Sequence, residues 1–470
     1  MRIVLVALAL CAAVPLRAQH PRVPKADSQA RALSCPDCRP AKRPLFGFGE
    51  LMIVQLIPST VNNVLRDAEW ADVSPKTWYN NLQNPWQWDD NKFLNNQFSH
   101  PYHGNLYFNS ARANGYNFWA SAPWAFGGSL MWELFGEVWA PSPNDFLNTS
   151  LGGIALGEML WRVSSLVLDN TDRGASRTWR EIGAGLLNPV RGFARLVHGE
   201  AGRTSATPPE WRPSFVHAAL DAGWRRIGGS SSLSGPLAVD QAFILFRLNY
   251  GRLMDDVVKQ PFSHFTVLAE LTDKASQGQR GRLSRLTATG TLAGVELSRS
   301  EKARHELGAF MRYEYYSNPA FEFGGQSFAG GWLARWKESS GFVLETSLLG
   351  TVYPIGATRS DVFTTEEGRD YDYGLGGGGA FTARFLWWPR AVFDLGYTGV
   401  YIHTLDGAKS DHFQGGGSAN FRVNFTNRLG VGASYLNYYR HSSYETSPTV
   451  TQTSPTLSVY LGYAIPGLER

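Results

Sequence analysis

The chain changes its hydrophobic rhythm part-way along. From about residue 46 to about residue 200, apolar positions return every three or four residues, the period of a helix face. This run is punctuated at NPWQWDD (84–90), HPYHG (100–104), Pro123, PSPND (141–145) and Asn188–Pro189. Beyond about residue 210 the period becomes two. Segments such as AFILFRLNYG (242–251), HELGAFMRYEYYSN (305–318), AVFDLGYTGVYIHTL (391–405) and PTLSVYLGYAI (455–465) alternate between polar or Gly/Pro turns. About twelve such segments lie between 215 and 465, each close to the roughly 9 to 11 residues that a tilted strand needs to cross a bilayer.

The pattern predicts an α+β chain, with a helical module over 46–205 followed by an antiparallel, roughly twelve-stranded transmembrane β-barrel over 210–470. A soluble β-sandwich alternates in the same way. Paired aromatics at strand ends (Tyr315–Tyr316, Trp387–Trp388, Tyr438–Tyr439) and the Gly376 to Gly379 run, which lets strands curve tightly, favour the barrel.

Within the helical half, SPNDFLNTSLGGIALGEMLWRVSSLVLD predicts a helix capped by Asn144 or Asp145 and running toward Leu168. Its Gly152, Gly153 and Gly157 cost about 1 kcal/mol each relative to Ala, which points to the close approach of another backbone. Residues 116–140 are apolar enough to suggest a membrane span, but Glu133, Glu137, Pro123 and Gly127–Gly128 oppose it, because carboxylates near a bilayer centre are costly. A buried or interfacial helix fits better.

The first residues, MRIVLVALALCAAVPLRAQH, read as a secretory signal over 1–18, and residues 19–45, rich in Pro, Arg, Lys and Ala, as a flexible leader. Cys35 and Cys38 in SCPDC have neither a βαβ context nor two further ligands, so a local disulfide or a free pair is the expectation. Among 470 residues there are 49 Gly, 16 Trp, 19 Tyr and 27 Phe but only 3 Cys, the balance of an exported β-rich protein with aromatic girdles. A net charge of +4 with no basic run argues against a nucleic-acid partner.

Candidate chemistry sits in the helical half. If 92–107 is helical, Asn96, His100, His103 and Tyr107 share a face, although Pro101 kinks that helix or starts a new one. Glu133 and Glu137, at i and i+4, share a face of the next helix, and Asp145 with Asn148 opens the following one. His100, His103, Glu133, Glu137 and Asp145 are therefore the candidate catalytic residues. Imidazoles with carboxylates from neighbouring helices suit acid–base hydrolysis or a divalent metal, the one cofactor this set suggests. A buried hydrogen-bond network in which Asn95, Asn96, Gln97, His100, His103, Asn105 and Asn109 hold helices against a polar barrel interior is the somewhat favoured alternative. Ser99, Ser110, Ser121 and Ser129 stand on no Gly-flanked elbow and read as caps or packing residues. The acidic loop FTTEEGRDYDYG (363–374) lacks an EF-hand pattern and reads as solvated.

WDDNKFLNNQFSHPYHGNLYFNSARANG, GGSLMWELFGE, SPNDFLNTSLGGIALGE and NPVRGFARL together resemble an uncharacterised bacterial domain-of-unknown-function family, in which an HPYxG/GGxxLGE helical module stands ahead of an outer-membrane barrel. WELFGE with the following Asn144, Asp145 and Asn148 is also distantly similar to the helical core of VanZ-like and small periplasmic lipoprotein families. The resemblance implies a Gram-negative envelope location and joins His100, His103, Glu133, Glu137 and Asp145 in one unit. The expectation is an outer-membrane barrel with a structural or transport role, its helices forming a plug or scaffold in the lumen or on the periplasmic side. The alternative is an envelope enzyme acting on lipid or glycan through the His/Glu/Asp cluster. Outer-membrane lipid is the expected partner, with lipopolysaccharide and phospholipid as candidates.

Overall fold

A computed structural model of the chain describes residues 41–228, 233, 238–254, 258, 260–275, 281–387 and 390–465. The signal and most of the leader, with Cys35 and Cys38, and Trp388 lie outside the described residues. The chain divides into two compact units, one containing Leu94–Pro213 and the residues up to Asp89, the other Asp90–Phe93 with Ser214–Arg470.

The first unit is helical: α1 (Pro44–Thr60), α2 (Pro75–Gln83), α3 (His100–Arg112), α4 (Phe118–Phe135), α5 (Pro143–Leu147), α6 (Gly153–Val167), α7 (Gly174–Leu187) and α8 (Pro189–Val197). Pro101 does not kink α3. It occupies the first turn, where its missing N–H is no loss, and a π-turn over Asn95–Ser99 leads in. The cap of α5 is Ser142, whose Oγ accepts from the Asp145 backbone N–H at 3.4 Å; Pro143 takes the first helical position, so Asn144 and Asp145 fall inside the first turn instead of capping it. α4 ends at Phe135 with Gly136 as its C-cap, which leaves Glu137 in the following turn and off the helix that carries Glu133.

The glycines of the predicted long helix do meet another element. A Cβ on Gly153 would stand 2.4 Å from the Gly104 carbonyl carbon, and one on Gly104 would stand 1.8 Å from the Thr149 carbonyl oxygen. α3 and the start of α6 therefore cross backbone to backbone, and this brings His100 to Thr149.

The second unit is a closed barrel of twelve strands, β1 (Val216–Ile227), β2 (Val239–Tyr250), β3 (Phe265–Thr272), β4 (Leu283–Arg299), β5 (Ala303–Ser317), β6 (Glu322–Lys337), β7 (Phe342–Arg359), β8 (Tyr371–Trp387), β9 (Ala391–Asp406), β10 (Ser410–Asn424), β11 (Leu429–Tyr444) and β12 (Val450–Ala464). Each strand pairs antiparallel with its sequence neighbour, and β1 closes on β12 from Ala219↔Ala464 to Ile227↔Thr456. Closure removes the sheet edges that a sandwich would keep. β12 shows the two-residue rhythm in space: Leu457, Val459, Leu461 and Tyr463 are exposed, while Thr456, Ser458 and Tyr460 are buried on the lumen side. Trp224, Leu348, Val352, Leu395 and Phe413 continue the exposed apolar wall on other strands. A closed barrel, polar inside and apolar outside, has its unexposed state in a bilayer, and this is the architecture of outer-membrane proteins.

The lumen side carries paired charges. The Glu270 carboxylate lies 2.5 Å from Arg225 and 3.9 Å from Arg285, and Asp221 pairs with both Arg247 and Arg422. The β5–β6 turn is tucked inward: Phe321 packs with Phe323, Tyr353, Val400 and Ile402, and its ring meets Tyr438 of β11 edge-on at 5.6 Å. Asp90–Phe93 groups with the barrel because Arg369 reaches Asp90 at 3.4 Å and Asp406 at 2.6 Å, the Tyr371 hydroxyl donates to the Asn91 carbonyl at 2.7 Å, and the Phe93 ring meets Tyr371 at 5.1 Å. The helical stretch read over 46–205 is thus interrupted by four residues that pack with strands. In the acidic loop, Arg369 and Asp372 are fully buried and bonded within the barrel, so that end of the loop is not solvated.

Candidate functional site

Each cluster residue of the helical unit is held by a different element. His100, at the start of α3, places Nδ1 3.1 Å from the Thr149 hydroxyl and Nε2 3.5 Å from Asp145 Oδ1. His103, one turn on, places Nε2 3.4 Å from the Val54 carbonyl of α1. A carbonyl only accepts, so this ring carries its proton on Nε2. Its face lies against Tyr107, with centroids 4.7 Å apart, and the Tyr107 hydroxyl donates to Gln55 Oε1 at 2.8 Å. Glu133 accepts from the Ser142 backbone N–H at 2.9 Å, which ties α4 to the turn before α5. Asp145 accepts from the Asn144 amide at 2.8 Å.

Asp89 joins these groups electrically. It accepts from Asn96 Nδ2 at 3.0 Å, and its charge acts on His100, Glu133, Glu137 and Asp145 alike. Sequence reasoning treated NPWQWDD as punctuation and missed it, because nothing in the local pattern distinguishes an acid before a loop from one folded back on a cluster. The five predicted residues are otherwise brought into one electrostatic neighbourhood.

That neighbourhood holds its protons on carboxyls. Burial pushes Glu133 up to about 8, helped by the Asp89 charge and opposed by the Ser142 N–H. Glu137 and Asp145 are raised well above the usual carboxylate range by burial first and then by the charges of the neighbouring acids. Burial lowers both imidazoles to about 4, partly offset at His100 by Asp89 and at His103 by the Val54 carbonyl. At neutral pH the cluster therefore pairs unprotonated bases with protonated acids, the division of labour that acid–base catalysis uses. His100, His103 and Glu137 keep a partly exposed edge, whereas Glu133 and Asp145 are covered.

No group of three or more His, Cys, Asp and Glu side chains among the described residues is placed to hold a metal ion, so the divalent-metal expectation finds no ligand set. The imidazoles and carboxyls bond instead to Thr149, Val54, Ser142 and Asn144. Of the serines near the cluster, Ser110 and Ser129 donate to the Leu106 and Phe146 carbonyls, the packing role expected of them.

Two side chains beside the cluster, Asn148 and Ser150, are left over among the described residues. Asn148 is 1% exposed, yet neither its amide nitrogen nor its amide oxygen has a hydrogen-bond partner among the described residues. It stands three residues after Asp145, hence on the same face of the turn, and directly before Thr149, the partner of His100.

No curated protein matches the chain. Among solved structures, an outer membrane channel from Pseudomonas putida F1 is 10% identical with a TM-score of 0.31, covering 55% of this chain and 99% of that one. The outer membrane channel DcaP of Acinetobacter baumannii is 8% identical with a TM-score of 0.24, covering 53% and 96%. The Pseudomonas putida toluene transporter TodX is 9% identical with a TM-score of 0.23, covering 56% and 91%. Residues 85–190, which include Asp89, His100, His103, Glu133, Glu137, Asp145 and Asn148, match the family described as "Domain of unknown function (DUF3943)".

Proposed function

We propose that this is an outer-membrane protein whose barrel is the anchor and whose helical unit performs acid–base chemistry on an envelope lipid or glycan. The observation that carries the reading is the unpaired Asn148 amide beside the His100–Asp145 pair. A buried amide without partners costs about 1–3 kcal/mol, and a substrate hydroxyl, ester or phosphate oxygen supplies the missing bonds. In this reading neutral His100 takes the proton of an attacking water or hydroxyl as its oxygen bonds to the substrate. Protonated Glu137, with a partly exposed edge, returns a proton to the departing oxygen. Asp145 orients His100, and burial with the Asp89 charge keeps Glu137 protonated.

The test is a comparison of cells carrying the parent, His100→Ala and Glu137→Gln chains. Retained heat-modifiable barrel mobility with loss of the parent's effect on envelope lipid or glycan composition supports the reading. Lowered thermal stability with an unchanged composition overturns it.

A second reading, transport through the barrel, is favoured by the Arg225–Glu270–Arg285 and Arg247–Asp221–Arg422 groups on the lumen side. Charges placed so would line a path for small polar solutes, narrowed at Phe321 and Tyr438. Single-channel conductance of the purified chain discriminates: discrete openings favour transport, and an electrically silent barrel favours the anchor.

A further inference from the structure

Two helices of the helical unit carry buried charge on their covered faces, beside the buried Ala184 and Leu187 of α7 and Val190 and Ala194 of α8. On α7, Arg177 is buried and pairs with Glu181 at 2.7 Å; Glu181 in turn holds Arg195 of α8 at 2.8 Å. Arg191, 2% exposed, stacks on Trp161 at 3.9 Å and Trp211 at 4.4 Å and donates to the hydroxyls of Ser164 and Ser165. The opposite faces of the same two helices are apolar and open. Trp179, Ile182 and Leu186 recur at i, i+3 and i+7 on α7, and Phe193, Leu196 and Val197 at i, i+3 and i+4 on α8; Trp179 is 71% and Leu196 69% exposed. α1 buries Glu50 and Gln55 beside the core residues Leu51 and Val54 and exposes Leu56 and Ile57, and the run Pro44–Leu65 is long and apolar enough to cross a membrane.

Soluble helices place charge outward and aliphatic groups inward. Reversal of that order is the expected solution where the surrounding medium is apolar, because charges then pair in the interior and apolar faces meet the solvent. We infer that the helical unit docks into a lipid surface, with the outer faces of α7 and α8 seated among acyl chains. The chain is already committed to a bilayer by its barrel, so lipid is within covalent reach of these faces. Exposed Arg173 and Arg203 near the ends of this hairpin add positive charge that anionic headgroups attract. Patches of this extent on a soluble surface mark an interaction site, and Trp at the edge of an apolar stripe suits the headgroup boundary. This inference goes beyond the proposed chemistry and stands without it.

The experiment uses the full chain reconstituted in vesicles of phosphatidylethanolamine and phosphatidylglycerol. In a background with Cys35→Ser and Cys38→Ser, an environment-sensitive fluorophore is attached at Trp179→Cys, at Leu196→Cys or, as control, at Glu367→Cys in the exposed acidic loop between β7 and β8. Docking predicts that the first two labels shift to the blue and lose fluorescence to lipid-borne nitroxide, whereas the control loses it to water-soluble quencher. Labels at 179 and 196 quenched from water like the control overturn the inference. Shielding from both quenchers also overturns it, by reporting a protein partner such as a second copy or the chain's own barrel. Each labelled chain is first checked for heat-modifiable mobility, and the two helices supply independent positions should one substitution misfold.

Discussion

His100 Nε2 lies 3.5 Å from Asp145 Oδ1, and both groups are pushed away from charge: burial lowers the imidazole to about 4, and burial, then the charges of neighbouring acids, raises the carboxyl. Transfer of the proton from acid to imidazole would create an ion pair in a low-dielectric site already holding other carboxyls, and its desolvation cost opposes that transfer. The pair is therefore a poised base beside a reservoir of protons.

This distribution fixes a pH dependence. The stability contributed by protonated Glu133 is complete below about 4.5 and is lost as pH rises through about 8. Glu137 and Asp145 act in the same direction. The contribution of the neutral histidines is complete above about 6.5 and is lost as pH falls through about 4. Three acids of the cluster, joined by Glu50, which burial raises to about 7, outweigh its two imidazoles and the lowered His198 between these limits, so the helical unit should be most stable in mildly acidic buffer and weaken toward pH 8. Thermal scans of the full chain across this range check it, and Glu133→Gln should flatten the alkaline side.

Asn148→Leu separates binding from folding. Removal of two unpaired polar atoms from a buried site should leave stability unchanged or raise it by about 1 kcal/mol, while activity on the substrate is lost. A drop in thermal midpoint would mean that the amide is satisfied in the folded chain.

The α3–α6 crossing tolerates no side chain. Gly104→Ala places a methyl group 1.8 Å from the Thr149 carbonyl, and Gly153→Ala places one against the Gly104 backbone. Each should destabilise the helical unit by about 3 kcal/mol or more and release Thr149 from His100. Protease resistance of the helical fragment is a direct readout.

Inside the barrel, Glu314 accepts from Arg312 at 2.6 Å, from the Tyr353 hydroxyl at 2.6 Å and from Ser327 at 3.3 Å. Glu314→Ala strands a buried guanidinium, and a loss of about 3–5 kcal/mol is expected in urea unfolding of the reconstituted protein. Phe321→Ala, by removing the ring that meets Tyr438, should raise ion conductance in planar bilayers if the lumen is the path that turn narrows.

The barrel was legible because its two-residue period runs clearly through strands such as β12, where a one-residue slip would turn Leu457, Val459 and Leu461 into the lumen; bulges interrupt it in the β4–β5 and β6–β7 pairs. Gly153 announced the close crossing because nothing else accounts for its helix penalty. The site was legible only as residue types. Glu137 was placed on the helix of Glu133 because i, i+4 spacing cannot see that Gly136 ends α4. Asp89 and the unpaired Asn148 became visible only through long-range packing. The buried charge of α7 and α8 was hidden because an amphipathic sequence does not say which face points inward.

The central claim is that the helical cluster acts chemically on an envelope component. The most direct measurement is mass spectrometry of vesicles made from total outer-membrane lipid, lipopolysaccharide included, incubated with the purified full chain. A modified lipid or saccharide product is expected from the parent at neutral pH and none from His100→Ala or Asn148→Leu chains with parent-like heat-modifiable mobility. No product from the folded parent, or equal product from all three, would contradict it.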